Sequence, residues 1–381
     1  KMQQIAAGVF EPFGFKPIET PAIEQVDVFV HGIGQSTDVV RKEMFRVFSG
    51  ANLERVFTEG TDTKLKPKQR LALRPEGTAG VVRAVVENNL VPQGSTPFKA
   101  YYAEAMFRGE RPQKGRLRQF HQVGIEWLGA PDPAADAECI IMLMEFYKRL
   151  GFDLSKLRLL INSMGDAQCR PAYREQVKQF ILDHADEMCD ECREHYEQVK
   201  RYLDAAGIEY VEDPTLVRGL DYYTRTVFEV EAPGAGVGSI GGGGRYDGLV
   251  EQLGGPATPA AGFGIGTERI IMELENQGVT LPQPPLCDVY IANLGAEAKQ
   301  SAYLLCQQLR DLGVRAEEDL CGRSLKAQFK YADKIAARYI VIVGGDELAR
   351  GTVKARNLST REEQEIPLDG AAEAIRALAQ G

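Results

Sequence analysis

LVRGLDYYTRTVFEV at residues 216–230 and GGGGRYDGL at residues 241–249 are the two segments that decide the fold. In the first segment, an arginine, an aspartate and two adjacent tyrosines follow one another in a fixed order. Four consecutive glycines open the second. A glycine string alone requires only that the backbone turns tightly or approaches another group closely. The charged and aromatic residues that precede it indicate a binding site rather than a plain turn.

Three further blocks lie on either side of these segments. LRPEGTAG occupies residues 73–80, FRGERPQKGRLRQFHQVGIE residues 107–126, and GFGIGTERI residues 262–270. In this order the blocks resemble the signature motifs of histidyl-tRNA synthetases, a family of class II aminoacyl-tRNA synthetases. Agreement at several spaced sites is not expected by chance.

The composition is that of a globular chain with more than one domain. Its 381 residues, 44% hydrophobic and 26% charged, exceed one ordinary core, and two or three domains are expected. No apolar run approaches the ~20 residues that cross a bilayer, and no signal peptide is visible, so a cytoplasmic protein without membrane contact is expected. A net charge of −9 argues against binding nucleic acid through bulk positive charge. RNA contacts must then use local basic patches.

The seven cysteines are odd in number and scattered, which is typical of a reducing compartment rather than of a disulfide framework. One cluster, His184, Cys189, Cys192 and His195, offers four potential zinc ligands. A structural zinc site usually draws on two separated knuckles, whereas these four lie within twelve residues of a helix-like segment. The pattern disfavours zinc without deciding the question.

The chain is expected to divide into an α+β catalytic domain and a C-terminal α/β domain. The catalytic domain is predicted at residues 1–149 and 213–278, around a mostly helical insertion at 150–212. The resemblance implies an antiparallel sheet flanked by helices there. A proline-rich linker at 279–286 leads to residues 287–381, where buried-strand-like runs alternate with helical patterns. This last part is predicted to hold a largely parallel sheet, and it resembles the family's anticodon-binding domain.

The N-terminal segment has a helical spacing at residues 1–10 and a strand-like stretch at 15–29 that contains Pro17 and Pro21. It resembles motif 1 of class II synthetases, which forms a dimer interface, so the resemblance implies a homodimer. An edge strand with two prolines fits the same residues. Family chains usually begin farther upstream and carry more residues near 189–198, so residues are expected to be missing at both places.

One stretch has no assigned role. Residues 49–69 are longer than the family pattern and include the alternating lysines Lys64, Lys66 and Lys68. We predict a surface hairpin or loop.

A period of two along residues 118–128 predicts a strand with two different faces. The face predicted to be core holds His121, Val123, Ile125 and Trp127. The other face holds Arg118, Phe120, Gln122, Gly124 and Glu126. An amide and a carboxylate with a glycine between them leave space for a small ligand, although a solvent-exposed face could look similar. The resemblance implies that Gln122 binds the α-amino group of histidine and Glu126 an imidazole nitrogen, with His121 an ordinary core or hydrogen-bonded residue.

Two helices are predicted to begin at threonine caps, Thr78 and Thr267. Glu76, just before the first cap, fits a mere turn residue. The resemblance implies instead that Glu76 joins Thr78 and Gln122 around the ammonium group of histidine. It also implies that the imidazole pocket is closed by Tyr222, Tyr223 and Tyr246.

Three arginines are implied to be catalytic. Arg108 would hold the α-phosphate of ATP, because a guanidinium forks onto two phosphate oxygens. Arg218 would lie opposite it and also contact the histidine. Arg269 is in the first turn of a helix, where a cation opposes the helix dipole, and this mismatch favours a functional residue at the γ-phosphate. The implied ATP site is completed by Glu110, Arg116 and Phe120.

The loop inside residues 107–126 carries Arg111, Gln113 and Lys114. Its position and charge fit either a solvated turn or a contact to the acceptor end of tRNA, and the resemblance favours the tRNA contact. Mg²⁺ is expected to accompany ATP, with ligands that the sequence does not identify. No tightly bound cofactor is expected.

The resemblance implies a histidine–tRNA ligase, which activates L-histidine with ATP to histidyl-adenylate and pyrophosphate and then charges the 3′ end of tRNA(His). The alternative is a non-catalytic paralogue that partners ATP phosphoribosyltransferase. Such paralogues typically lack the C-terminal domain and parts of the motifs, whereas RGLDYY and residues 287–381 are present here. A dinucleotide-dependent oxidoreductase, suggested by GFGIG, is disfavoured because the spacing does not match GxGxxG.

Overall fold

The chain folds into two compact units, Lys1–Leu281 and Pro282–Gly381. The structure is a computed structural model that describes residues 2–35, 37–60, 65–91, 97–166, 169, 188–233, 238–281 and 287–380. Most of the predicted linker at 279–286 lies outside these residues. Within these ranges, no helix is both long and apolar enough to span a bilayer.

The helices and strands are numbered in chain order. The helices are α1 (Met2–Phe10), α2 (Val26–Ile33), α3 (Gly50–Glu59), α4 (Thr78–Glu87), α5 (Pro133–Leu150), α6 (Asp190–Ala205), α7 (Leu249–Gln252), α8 (Thr267–Asn276), α9 (Ala296–Asp311), α10 (Leu325–Lys334), α11 (Gly345–Ala349) and α12 (Ala371–Gln380). The strands are β1 (Lys16–Pro17), β2 (Ile23–Gln25), β3 (Arg46–Val47), β4 (Leu71–Leu73), β5 (Phe98–Phe107), β6 (Gln119–Leu128), β7 (Arg158–Ser163), β8 (Val211–Glu212), β9 (Thr224–Glu231), β10 (Ser239–Arg245), β11 (Ala260–Gly266), β12 (Val289–Asn293), β13 (Ala316–Glu318), β14 (Tyr339–Val343), β15 (Thr352–Asn357) and β16 (Glu363–Pro367).

A largely antiparallel sheet forms the centre of the first unit, as predicted. Its strands follow the order β1-β5-β6-β11-β10-β9-β7-β8. Each neighbouring pair from β5 to β7 is antiparallel, and only the edge pairs β1-β5 and β7-β8 are parallel. A smaller sheet has the order β2-β4-β3.

Helix α5 covers one face of the main sheet. Asp132 starts the helix by accepting a hydrogen bond from the Ala134 N–H at 2.8 Å, and Gly151 ends it in the left-handed conformation. Its apolar face packs with α1 and β11, where the ring of Phe10 lies 5.7 Å from that of Phe146 and 5.8 Å from that of Phe263. The opposite face of the central strands is left for a ligand cleft.

A buried group of charges ties α5, α6 and β10 together. Arg245, fully buried, lies 2.7 Å from Asp136, and His195 lies 2.6 Å from the other carboxylate oxygen of Asp136. Burial opposes ionisation of Asp136, but Arg245 and His195 outweigh it and hold the pKa of this carboxyl below its usual value. The imidazole of His195, a candidate zinc ligand in the sequence, therefore binds Asp136 and not the group of neighbouring cysteines. His184, the other candidate histidine, lies outside the described residues.

Two predicted segments are wrong in type. The last four residues of 15–29 are not a strand. Strand β2 ends at Gln25, and from there Val26, Phe29 and Ile33 are buried at a helical spacing and form the inner face of α2. Residues 50–59, predicted as part of a hairpin or loop, form α3, whose first turn is capped by the Ser49 hydroxyl.

The prediction that residues 150–212 are mostly helical misses a strand of the main sheet. In this range α6 is the expected helix, but β7 pairs with β9 along its whole length. A short apolar run such as RLLINS fits a buried strand or a buried helix equally well, so its hydrophobic pattern does not distinguish between the two.

The second unit is an α/β domain, as predicted. Its sheet has the order β13-β12-β14-β15-β16. The first three strands are parallel, whereas β15 and β16 run antiparallel and were missed. Side chains of β12 alternate between two cores, with Val289 and Ile291 on the side of α9 and Tyr290 on the side of α10.

Candidate active site

The open face of the main sheet carries a cleft that opens to solvent, with an empty volume of about 920 Å³ when the open solvent at its entrance is included. Strands β6, β10 and β11 contribute to its lining. Most of the predicted site residues meet there: Glu76, Thr78, Arg108, Glu110, Arg116, Phe120, Gln122, Arg218, Tyr222, Tyr223 and Arg269. Two more, Glu126 and Tyr246, are buried beside the cleft, whereas Arg111, Gln113 and Lys114 lie outside its lining.

Glu126 forms the buried end of this site. The Thr78 hydroxyl donates to Glu126 Oε1 at 2.8 Å, and the Tyr246 hydroxyl donates to Oε2. Complete burial raises the pKa of Glu126 to about 8, even though these hydroxyl groups act to lower it. On the adjacent strand, a Cβ at Gly262 would lie 2.5 Å from Oε2, so glycine is needed there. The carboxyl group can therefore exchange a proton with a ligand nitrogen near neutral pH.

Glu76 is held by the start of α4. Its carboxylate accepts hydrogen bonds from the backbone N–H groups of Thr78 and Ala79, at 2.8 and 2.9 Å. The predicted threonine cap is therefore wrong. Gly77 occupies the cap position, and the Thr78 side chain is left to bind Glu126. Burial raises the pKa of Glu76, although the two backbone bonds act to lower it.

Helix α8 shows the same one-residue displacement. Gly266 is its cap and makes no side-chain hydrogen bond, and Thr267 is the first helical residue. The first-turn carboxylate of Glu268 instead accepts from the His121 backbone N–H at 3.0 Å and lies 2.9 Å from His121 Nδ1. The imidazole of His121 is mostly exposed, so of the two roles expected for it the hydrogen-bonded one holds.

Tyr102 lines the cleft but was not among the predicted residues. It lies on β5 directly opposite Gly124 of β6. A Cβ at Gly77 would come within 2.5 Å of its ring, so glycines on two sides make room for it. An aromatic residue facing a strand glycine is the signal that identifies it, and this signal is visible only once the β5-β6 register is known. Further lining residues that were not assigned to the site are Gly115, Leu117, Leu220, Ser239, Ile240, Gly264, Gly266 and Glu268.

Arg108 is oriented by a backbone contact and an aromatic ring. Its Nε donates to the Pro75 carbonyl at 2.9 Å, and its guanidinium carbon lies 5.2 Å from the centroid of Phe120. Burial lowers the pKa of Arg108, but an arginine stays cationic at neutral pH. The group presents a fixed positive charge to the cleft.

The Arg218 guanidinium is only partly hydrogen-bonded by the residues that the structure describes. Its Nη1 is paired with Glu229, and its guanidinium lies 5.9 Å from the ring centroid of Tyr223. Burial acts to lower the pKa of Arg218, but Tyr223 and Glu229 outweigh it and raise the pKa. Its Nε is buried and finds no hydrogen-bond partner among the residues described. A buried unpaired donor costs ~1–3 kcal/mol, and a ligand oxygen in the cleft would remove that cost.

Arg269 bridges two sides of the cleft mouth. Its Nε donates to the Gly115 carbonyl at 3.0 Å and its Nη1 to the Ser239 carbonyl at 2.7 Å. Burial lowers the pKa of Arg269, and the nearby Arg116 adds to this effect. Arg116 in turn lies 3.4 Å from Glu110. The mouth of the cleft is thus lined by two cations and a carboxylate.

Comparison with known proteins identifies the domains and the family of this chain. Residues 61–277 match the family model of the tRNA synthetase class II core domain (G, H, P, S and T), and residues 288–378 match that of the anticodon binding domain. A histidine–tRNA ligase from Desulforamulus reducens is 42% identical over 96% of this chain and 92% of its own length. The chain belongs to the histidyl-tRNA synthetase family. Another member of the family, from Limosilactobacillus fermentum, is 41% identical over 95% of this chain and 90% of its own.

Solved structures of the family share the fold. The apo histidyl-tRNA synthetase of S. aureus superposes with a TM-score of 0.80 at 33% identity, covering 98% of this chain and 94% of that one. A structure from Bacillus halodurans C, described as an ATP phosphoribosyltransferase regulatory subunit/histidyl-tRNA synthetase, gives a TM-score of 0.65 at 21% identity over 90% and 93%. That second similarity is one of fold alone.

Replacing Glu126 by glutamine should remove a pH dependence of stability. The carboxyl has a pKa of about 8 in the folded protein and ~4.3 in an unfolded chain. A raised folded-state pKa contributes stability that is complete below the unfolded value and is lost as the pH rises through the folded value. Across this pH range the carboxyl group's contribution to the free energy of unfolding falls by up to about 5 kcal/mol. The melting temperature of the wild type should therefore fall between pH 5 and pH 8.5 relative to that of Glu126→Gln. Parallel melting profiles for the two proteins would show that the buried carboxyl does not titrate here.

Proposed function

We propose that this protein is a histidine–tRNA ligase, which forms histidyl-adenylate from L-histidine and ATP and then charges the 3′ end of tRNA(His). The observation that carries the proposal is the cleft, with a buried carboxyl at one end and arginines along the rest. Membership of the histidyl-tRNA synthetase family supports it.

The imidazole of histidine would contact Glu126. A carboxyl group whose pKa is near 8 can accept from a ring N–H or, when protonated, donate to a ring nitrogen. The hydroxyls of Thr78 and Tyr246 fix the carboxyl group in place. Glu76 and Gln122 would bind the ammonium group, for which the carboxylate supplies the opposite charge.

Adenylate formation needs charge stabilisation rather than a protein nucleophile. A carboxylate oxygen of histidine attacks the α-phosphorus of ATP, the bond from that phosphorus to the bridging oxygen breaks, and pyrophosphate leaves. Arg108 and Arg218 would bind the α-phosphate oxygens, where negative charge develops. Arg269 would bind the γ-phosphate. All three guanidiniums are already held by protein contacts, so little reorganisation is required.

Mg²⁺ would accompany the ATP. This ion prefers oxygen ligands and is commonly held by one or two carboxylates together with substrate phosphates. The carboxylates of Glu110 and Glu268 line the cleft and are of the right type. The ion would neutralise phosphate charge there.

The rival is a synthetase-like regulatory subunit of ATP phosphoribosyltransferase. It requires no intact phosphate site, whereas the arginines of this chain meet in one cleft and residues 288–378 match an anticodon-binding domain. Amino-acid-dependent pyrophosphate exchange with each of the twenty amino acids separates the two functions. Exchange with histidine alone is expected. No exchange with any amino acid would favour the regulatory subunit.

Contacts to tRNA would come from two places. Arg111, Gln113 and Lys114 are exposed on the loop between β5 and β6, next to the cleft mouth. This position suits the acceptor end of tRNA. The second unit would bind the anticodon.

Two exposed lysines of the second unit provide a test of anticodon binding. Lys326 and Lys330 are four residues apart on α10, so they share a helical face. Their charge reversal in Lys326→Glu/Lys330→Glu should raise the KM for tRNA about tenfold and leave pyrophosphate exchange unchanged. Arg323, three residues before Lys326, pairs with Asp319 and is left unaltered.

A matched control uses two other exposed cations of the same unit. Lys299→Glu/Arg376→Glu makes the same change in net charge on α9 and α12. An equal rise in KM for both double variants would show that only overall charge matters, and the α10 face would not be the anticodon contact.

We also propose that the protein is a cytoplasmic homodimer. All seven cysteines are free thiols, which fits a reducing compartment. The segment formed by α1 and β1 would supply the dimer contact, by its similarity to motif 1. Light scattering of the full chain should give twice the chain mass.

A further inference from the structure

Four side chains with metal-binding atoms converge beside the main sheet. They are Asp166, Cys169, Cys189 and Cys192, and one ligand atom from each lies within 4.8 Å of the other three. Asp166 and Cys169 follow the end of β7, whereas Cys189 is the cap of α6 and Cys192 lies in its first turn. The ligands thus come from two segments that are separated in sequence, as in a typical structural zinc site. The candidate set in the sequence, His184, Cys189, Cys192 and His195, came from one segment only.

The sulfur geometry fits a shared metal ion. The Sγ atoms of Cys169 and Cys192 are 3.8 Å apart. Two sulfurs that bind one zinc ion tetrahedrally, at ~2.3 Å each, are separated by about 3.8 Å. A disulfide would bring them to ~2.05 Å. The Asp166 carboxylate lies 3.5 Å from Cys169 Sγ and 4.0 Å from Cys189 Sγ, so it closes the group on the remaining side.

The backbone around the group favours anionic ligands. The Asp166 N–H donates to Cys169 Sγ at 3.2 Å, and the Cys169 N–H donates to Asp166 Oδ1 at 3.3 Å. Cys189 and Cys192 are at the N-terminus of α6, where the helix dipole favours negative charge. Burial raises the pKa of the Cys192 thiol, so the bound metal ion itself would have to displace that proton. The Arg225 guanidinium lies 3.7 Å from Asp166, and the Arg225 N–H binds the Gly165 carbonyl. A cation next to the ligands offsets part of their charge.

We propose that Asp166, Cys169, Cys189 and Cys192 bind one structural Zn²⁺ ion per chain. Soft thiolates in a tetrahedral set with one carboxylate select zinc over magnesium or calcium. The order Asp-x₂-Cys, nineteen residues, Cys-x₂-Cys also has the spacing of two-knuckle zinc sites, with aspartate in the first position. On binding, the three thiols lose their protons to solvent, and the ion links the end of β7 to the start of α6.

The first test measures zinc in the purified full chain. After loading with Zn²⁺ and extensive dialysis, mass spectrometry of the metal should find about one zinc per chain. Cys169→Ser and Cys192→Ser should reduce this at least ~10-fold, as expected when a ligand is lost. Cys306→Ser and Cys321→Ser, in the second unit, should leave it unchanged. The proposal is wrong if the wild type holds less than about a tenth of a zinc per chain, if Cys169→Ser keeps its zinc, or if the native protein contains a Cys169–Cys192 disulfide.

A second variant guards against loss of zinc through misfolding. Asp166→Cys should keep one metal per chain, since it replaces the carboxylate with a fourth thiolate. With Co²⁺ in place of zinc, its thiolate-to-cobalt charge-transfer absorption should rise by about one third over the wild type, in proportion to four thiolates instead of three. An unchanged absorption would show that residue 166 is not a ligand. Neither measurement depends on histidine activation, so this site and the proposed function are tested separately.

Discussion

Glu126→Ala is expected to abolish histidine-dependent pyrophosphate exchange, with a loss of at least ~10⁴-fold. The carboxyl group is completely buried and would be the polar partner of the imidazole at this end of the cleft. Its removal leaves the substrate nitrogen, together with the hydroxyls of Thr78 and Tyr246, without an acceptor. Exchange assays at saturating ATP, with histidine varied up to its solubility limit, measure the effect.

A second buried carboxylate gives the matched control. Glu273 on α8 is 2% exposed and accepts a hydrogen bond from Gln277 at 2.9 Å, but it is not part of the cleft. Glu273→Ala should lower the melting temperature and keep exchange within a few-fold of the wild type. If Glu126→Ala also keeps exchange within about tenfold, the imidazole does not bind at Glu126.

Arg218→Ala should lower the rate of adenylate formation by at least ~10²-fold, the effect of removing one preorganised donor from a charge-stabilising site. Transfer from preformed histidyl-adenylate to tRNA should suffer less, because the α-phosphate charge has already developed. Single-turnover measurements resolve the two steps. Equal losses in both would point to a structural role for Arg218.

Two further variants separate the charge of Arg218 from its shape. Arg218→Lys keeps a cation but loses the fork that binds two oxygens, so it should recover only part of the rate. Arg158→Ala removes a half-exposed arginine from β7, outside the cleft, and should have no effect on either step. If Arg218→Lys recovered the full wild-type rate, the reaction would need only a positive charge at this position and not the bidentate geometry of arginine.

Most of the cleft could be predicted because its residues lie in compact blocks of sequence. The period of two in β6 placed Gln122 and Glu126 on one face and the core residues Val123 and Ile125 on the other. Arg269 could be identified because a cation in the first turn opposes the helix dipole, so helix stability does not explain its presence there. Such local patterns need no knowledge of which strands are neighbours.

The residues that were missed depend on pairings between distant segments. Tyr102 lies in the cleft because the register of β5 against β6 places it opposite Gly124. Cys169 lies close to Cys192 because β7 ends beside the start of α6. The displaced cap at Thr78 has a different origin. A glycine can occupy the cap position when another side chain, here Glu76, satisfies the helix N–H groups, and no local pattern distinguishes the two arrangements.

The glycines of β10 give this cleft an entropic property. Gly241 to Gly244 are buried in the middle of the sheet, and Gly241 and Gly242 form part of the cleft surface. On most binding surfaces several side chains lose rotamer freedom when a ligand binds, which costs ~0.5–1.5 kcal/mol of binding free energy for each side chain. The glycines of this part of the cleft have no side-chain rotamers, so this cost does not arise there. The backbone has already been ordered by its hydrogen bonds to β9 and β11 during folding. The entropy of ordering this strand is thus lost once, when the chain folds, and not again at each catalytic cycle.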